Sequence, residues 1–321
     1  MKLLVTGGAG FIGSHLCDRL IEHGHEVTII DDLSTGRLEN LENVRNHPNF
    51  HLAIEDITNE IVMDRLVFEC DAIYHLAAAV GVELIVNEPV EVIQRNIIGS
   101  DVVFRMANRY KKKVFVASTS EIYGKNEKVP FKETDDRLLG PTTKSRWSYS
   151  CSKAIDEFLA LAYYKEKQLP VIIGRFFNTI GPRQTGQYGM VAPRFVGQAL
   201  KGQDITVYGD GQQSRCFTYV GDVVKAIMDL LDDPKAVGEI YNIGGDFEIT
   251  IHDLAKKVIE ITGSSSQIKF VPYDEAYESG FEDMRRRIPD LTKIKNQIDY
   301  APNTDIDEIL NLIAEDLKKQ K

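Results

Sequence analysis

Cysteine is scarce in this 321-residue chain, and a basic excess and long apolar runs are lacking altogether. The four cysteines, Cys17, Cys70, Cys151 and Cys216, form no Cys-x-x-Cys pair and keep no histidine spacing that would suit zinc, so they read as free thiols of a reducing, cytoplasmic setting, with no metal site. Cys151 is expected to be a small residue facing packed backbone. No apolar run approaches the ~18 residues of a membrane span. The first residues enter a strand-like run at Lys2 without a basic leader, so no signal peptide and no membrane association are expected. The net charge of −10, from 38 basic and 48 acidic residues, argues against a nucleic-acid surface. Low-complexity segments and fixed-period repeats are missing too.

What is there is alternation. Strand-like runs at Lys2–Thr6, Glu26–Ile30, Phe50–Ile54, Ala72–His75, Lys113–Ala117 and Val171–Arg175 are separated by helical patterns such as Ser14–His23, Val90–Arg109 and Tyr149–Lys167. Strand and helix in alternation predict an α/β fold, a doubly wound parallel sheet of the Rossmann kind. After Asn178 the pattern shortens, which predicts a nucleotide-binding domain over 1–177, with return segments near 217–245, and a smaller α/β substrate lobe over 178–321. Ile306–Lys319 reads as an amphipathic terminal helix.

Two stretches carry chemistry. The first turn, Thr6-Gly7-Gly8-Ala9-Gly10-Phe11-Ile12-Gly13, leaves a strand and enters a helix. Glycines there let backbone approach a pyrophosphate, and the helix N-terminus offers it amide hydrogens. Asp31, eighteen residues past Gly13, stands where an acid grips the adenosine ribose and repels a 2′-phosphate, so NAD is expected rather than NADP. Asp32 and the loop pair Asp56 and Ile57 are further candidates on the adenosine side. The second is Tyr149-Ser-Cys-Ser-Lys153, whose ends share a helix face. The ammonium, with the charge of a nicotinamide, would lower the phenol's pKa and make it a base for an alcohol. A strand end with three hydroxyls and an acid, Ser118-Thr119-Ser120-Glu121, precedes it.

TGGAGFIGS (6–14), DDLSTG (31–36), YHLAA (74–78), STSEIYG (118–124), YSCSK (149–153), RFFNTIGPR (175–183), YGDGQQSRCFTYVGDV (208–223) and NIGG (242–245) together resemble the extended short-chain dehydrogenase/reductases that modify nucleotide sugars. The resemblance implies that Tyr149 is the general base, that Lys153 holds the nicotinamide ribose and that Thr119 bonds the reacting hydroxyl. It implies that Gly7, Gly10, Phe11, Ile12, Asp31 and the segment His75, Leu76, Ala77 and Ala78 line NAD. It places Asn178, Arg194, Arg215 and Arg287 on the diphosphate or sugar, with Ser120 beside them. Such enzymes oxidise the sugar at carbon 4. Glu121 two places after Thr119 resembles decarboxylases and 4,6-dehydratases more than simple 4-epimerases, although dTDP-glucose dehydratases carry Asp-Glu where this chain has Ser120-Glu121. Arg146-Trp147 and Arg286-Arg287-Ile288-Pro289-Asp290 resemble UDP-glucuronate decarboxylases. The expectation is therefore a UDP-glucuronate decarboxylase working on a UDP-sugar. A 4-epimerase or 4,6-dehydratase is the alternative, and a non-catalytic NAD-sensing protein a remote one. A homodimer through the helices over 90–109 and 149–167 is also implied.

Overall fold

The computed structural model describes residues 1–186, 190–276 and 284–319. Strands β1 (Lys2–Thr6), β2 (Glu26–Asp31), β3 (Phe50–Ile54), β4 (Ala72–His75), β5 (Lys113–Thr119) and β6 (Val171–Phe176) are joined by a late strand, Ile240–Ile243, in one seven-stranded sheet. Its order is Ile240–Ile243, β6, β5, β4, β1, β2, β3, and every pairing is parallel. The order reverses between β1 and β4, which opens a crevice at the carboxyl ends of the strands, where this architecture binds ligands.

The sheet is covered on both faces, which is why its strands are apolar at successive positions. In β1, Leu3 and Val5 pack into one core layer and Leu4 into the other. The first layer is closed by α1 (Phe11–Glu22) and the helix Val220–Asp232. The second is closed by α2 (Glu60–Glu69), α4 (Pro89–Tyr110) and α5 (Arg146–Lys167). A short helix, α3 (Val82–Asn87), precedes α4, which starts with a proline at its first turn and ends on Lys111 in the left-handed conformation. A separate core gathers the helices Val191–Leu200, Ile251–Thr262 and Ile306–Lys319 around the strand Ile205–Tyr208.

The expected element positions hold, with edges moved by a few residues. β5 runs on through Ser118 and Thr119, and α5 starts three residues before Tyr149. The return segment near 217 becomes helical only at Val220, because Thr218–Tyr219 forms a short parallel bridge with Thr179–Ile180. Cys151 corrects an expectation. It is exposed, not packed, because Tyr149, Ser152, Lys153 and Asp156 take the inward face of α5 and leave 151, 155 and 158 outside. Among the described residues no helix is long and apolar enough to cross a membrane, and no cluster of His, Cys, Asp or Glu could hold a metal ion.

Candidate active site

One cleft of about 690 Å³ runs over the carboxyl ends of the strands and collects nearly all the expected site residues. At its nucleotide end, Gly7 takes φ +72°, and a Cβ there would lie 2.8 Å from the backbone of Ala77. A side chain on Gly13 would run into the carbonyl oxygen of Gly7. Gly10 starts α1 without a side-chain cap, so the first-turn amides are left for a ligand at the cleft wall. This cradle fits a pyrophosphate. Asp31 is buried and accepts hydrogen bonds from the amides of Ala9 and Leu33, both at 2.9 Å. Burial raises its carboxyl pKa and those two amides oppose the rise. Gly36 is there because a Cβ would come within 2.6 Å of the Asp31 carboxylate. Asp56 lines the cleft while holding Thr58 in a tight turn, and Ile57 lies beside it.

The wall opposite is built by a polar relay. Thr6 Oγ1 accepts from the Ala77 amide at 3.1 Å and meets His75 Nδ1 at 2.8 Å, while His75 Nε2 meets Ser100 Oγ at 3.0 Å. Burial pushes the His75 pKa down to about 3, with the charge of Lys153 adding to it, so the ring is neutral and serves as a fixed strut. Asn96 of α4 holds Ala79 through both its amide and its carbonyl. Together they fix the segment from Leu76 through Ala78.

At the chemical end, Thr119 caps a 3-10 turn, Ser120–Tyr123, by accepting from the Glu121 amide. The Thr119 side chain and the Tyr149 phenol face the same end of the cleft. Burial raises the phenol's pKa, with the charges of Glu121 and Asp156 adding to the rise and Thr119 and Arg287 opposing it. That direction is opposite to the one expected from Lys153 beside a nicotinamide. Burial is the main reason, and a contact that the Tyr-x-x-x-Lys spacing alone did not reveal adds to it. The Lys153 ammonium is 2.8 Å from Asp156 one turn further along α5, both are buried, and Lys153 is not among the cleft-lining residues. The i, i+3 spacing was the available signal.

Glu121 sits between two arginines. Arg287 Nη1 is 3.3 Å from its carboxylate and from Ser120 Oγ, and Arg146 Nη2 is 3.6 Å away. Arg287 reaches across because a bridge between Phe131 and Pro289 pins its strand-like run to the loop after the 3-10 turn. Beneath this, Arg175 grips Glu157 with two bonds of 2.9 and 2.8 Å, and Glu157 accepts from Ser118 Oγ at 2.5 Å. This buried pair anchors the end of β5; Arg175 opens the RFFNTIGPR motif without having been given a role, and no motif pointed to Glu157. On the helix Val191–Leu200, Arg194 donates to Thr206 at 2.6 Å and lies 4.1 Å over the Tyr208 ring. Arg215 donates to the Ser214 and Met284 carbonyls. Both arginines line the cleft with Asn178, whose buried Nδ2 meets no hydrogen-bond partner among the described residues. Arg37, Arg95 and Arg183 also line it and were not anticipated.

The comparisons with known proteins agree with this geometry. The model for the GDP-mannose 4,6 dehydratase family matches residues 4–313. A UDP-N-acetyl-alpha-D-glucosaminuronate decarboxylase of Bacillus cytotoxicus is 45% identical over 94% of this chain and 93% of its own. UDP-glucuronic acid decarboxylase 1 of Xenopus tropicalis is 36% identical over 99% of this chain and 72% of its own. Among solved structures, a UDP-glucuronic acid 4-epimerase of Bacillus cereus, in complex with UDP-glucuronic acid and NAD, superposes with a TM-score of 0.90 at 28% identity over the whole of both chains. With the parallel sheet, the glycine cradle and the Thr119–Tyr149 pair in one cleft, the chain belongs to the GDP-mannose 4,6 dehydratase family.

Proposed function

We propose that the protein is an NAD-dependent decarboxylase of a UDP-hexuronate, UDP-glucuronate or its 2-acetamido counterpart. The observation that carries this is the half-buried Glu121 set between Arg287 and Arg146, beside Thr119 and Tyr149. Two arginines at the sugar end suit a carboxylate-bearing substrate, because a guanidinium offers paired donors to carboxylate oxygens. The names of the relatives at 45% and 36% identity support the same reading.

Gly7, Gly10, Phe11, Ile12, Gly13, Asp31, Asp32, Asp56, Ile57, Leu76, Ala77 and Ala78 would hold the NAD, with Tyr149 and Lys153 at its nicotinamide end. When bound, NAD accepts a hydride from carbon 4 of the sugar and returns it. Tyr149 takes the proton of the 4-hydroxyl, which Thr119 orients. The 4-ketone makes the uronate a β-keto acid, so the bond to the carboxyl carbon breaks, carbon dioxide leaves and the electron pair moves onto the ketone oxygen. Arg287 and Ser120 hold the carboxylate, and Glu121 governs the proton that returns to carbon 5. Asn178, Arg194 and Arg215 take the diphosphate and the rest of the nucleotide. A homodimer through α4 and α5 is supported by exposed apolar residues on both helices, Val90, Ile93, Ile98, Ile155 and Phe158.

The test is mass spectrometry of purified protein incubated with each UDP-uronate, with its nucleotide cofactor released and identified. A product lighter by one carbon dioxide without net NADH supports the reading. An isomer of unchanged mass replaces it with the 4-epimerase of the structural neighbour.

A further inference from the structure

The geometry points to Arg95 as a cofactor-binding residue that closes the adenosine end of the cleft and retains the dinucleotide between turnovers. This rests on the proposed use of NAD and adds a residue to it. Arg95 lies on α4, outside the glycine turn and both acids, and no motif named it. Its Nη1 donates to the Asp32 carboxylate and to Ser34 Oγ, each at 2.8 Å, and its Nη2 lies 2.8 Å from Glu91. Ser34 in turn donates to Asp32 at 2.6 Å, so the loop leaving β2 and the first turns of α4 are tied across the cleft. Arg95, Asp32, Ser34 and Glu91 all line that cleft.

The position is the adenosine end. Asp31, the ribose acid, immediately precedes Asp32. On the far side, a Cβ at Gly99 would strike the Ile57 side chain, so α4 and the loop after β3 are in close approach there. Arg95 is one helical turn from Gly99 on the same face. A guanidinium held by its edge at three points keeps its flat face for an aromatic ring, and adenine offers one. Ion pairs this exposed add little to folding, with the Arg95 side chain 35% exposed. Their place in the cleft is better explained by a ligand than by stability.

The experiment compares wild type with Arg95→Ala and Arg95→Lys, each checked for folding by thermal melting. Stopped-flow displacement measures NAD and ADP-ribose dissociation, and equilibrium binding measures nicotinamide mononucleotide. Arg95→Ala should release NAD and ADP-ribose about fivefold faster or more, with nicotinamide mononucleotide affinity unchanged. Arg95→Lys, which keeps the charge but not the plane, should show most of the same loss. Unchanged dissociation in Arg95→Ala, equal weakening of all three probes, or wild-type behaviour of Arg95→Lys would overturn the inference. Wild type binding neither NAD nor ADP-ribose would instead overturn the cofactor reading.

Discussion

Glu121→Gln separates oxidation of the sugar from the later return of a proton to carbon 5. The Glu121 side chain is 13% exposed and meets Arg287 at 3.3 Å and Arg146 at 3.6 Å. Glutamine has the same shape and still offers a carbonyl oxygen to both arginines, so no cavity forms and the arginines keep an acceptor. The variant loses the ability to carry a proton. General acid–base groups contribute ~10²–10⁴-fold, which is about 3–5 kcal/mol of barrier. Return of the proton to carbon 5, and with it formation of the decarboxylated sugar, should slow by that factor. Oxidation at carbon 4 should persist, because Thr119 and Tyr149 are untouched. The assay is rapid mixing with a UDP-uronate, tracking nicotinamide absorbance for the first step and formation of the decarboxylated UDP-sugar for the last. Reduced nicotinamide should build up in the variant. A rate of product formation within a factor of about three of wild type would refute the role, since a proton carrier cannot be removed at so small a loss.

The geometry supports three other expected outcomes. Gly7→Ala places a Cβ 2.8 Å from the Ala77 backbone at φ +72°, and should cost about 2 kcal/mol or more in urea unfolding, along with cofactor affinity. His75 has a folded pKa of about 3 against an ordinary 6.5, so the unfolded chain takes up a proton that the folded protein refuses. Its stabilising contribution is complete above pH 6.5 and falls away towards pH 3, by up to about 1.4 kcal/mol per pH unit. In His75→Asn the unfolding free energy should therefore vary less steeply with pH across that window, and equal slopes would contradict the assignment. Phe158 is 66% exposed on α5, and Phe158→Glu should give a monomer by sedimentation velocity if α4 and α5 form the dimer interface.

Much of the fold was legible because its signals are local. Buried parallel strands read as short apolar runs, and β1, β3 and β4 begin and end where the sequence places them. The glycine turn is legible for the same reason, since its close contacts with Ala77 and between Gly7 and Gly13 forbid side chains within one short segment or its immediate neighbour in the sheet. Tyr149 and Thr119 were found through motif and order along the chain, and the structure brings them to one end of the same cleft.

Long-range pairings were not written in any local pattern. Glu121 and Arg287 are 166 residues apart and meet only because the Phe131–Pro289 bridge folds one run onto another. Arg95 reaches Asp32 across 63 residues because α4 packs beside the loop after β2. Lys153 turns to Asp156 because both are buried on one helix face, where an unpaired ammonium would be costly. Cys151 points outward because the helix's rotation, set by packing against the sheet, decides which face is left over. The sequence by itself determined the sheet, the cofactor turn and the candidate reacting groups, since hydrophobic period and backbone sterics act between near neighbours. The tertiary structure decided which charges face one another, because electrostatic pairing depends on distance in space and burial, neither of which is encoded at any single position.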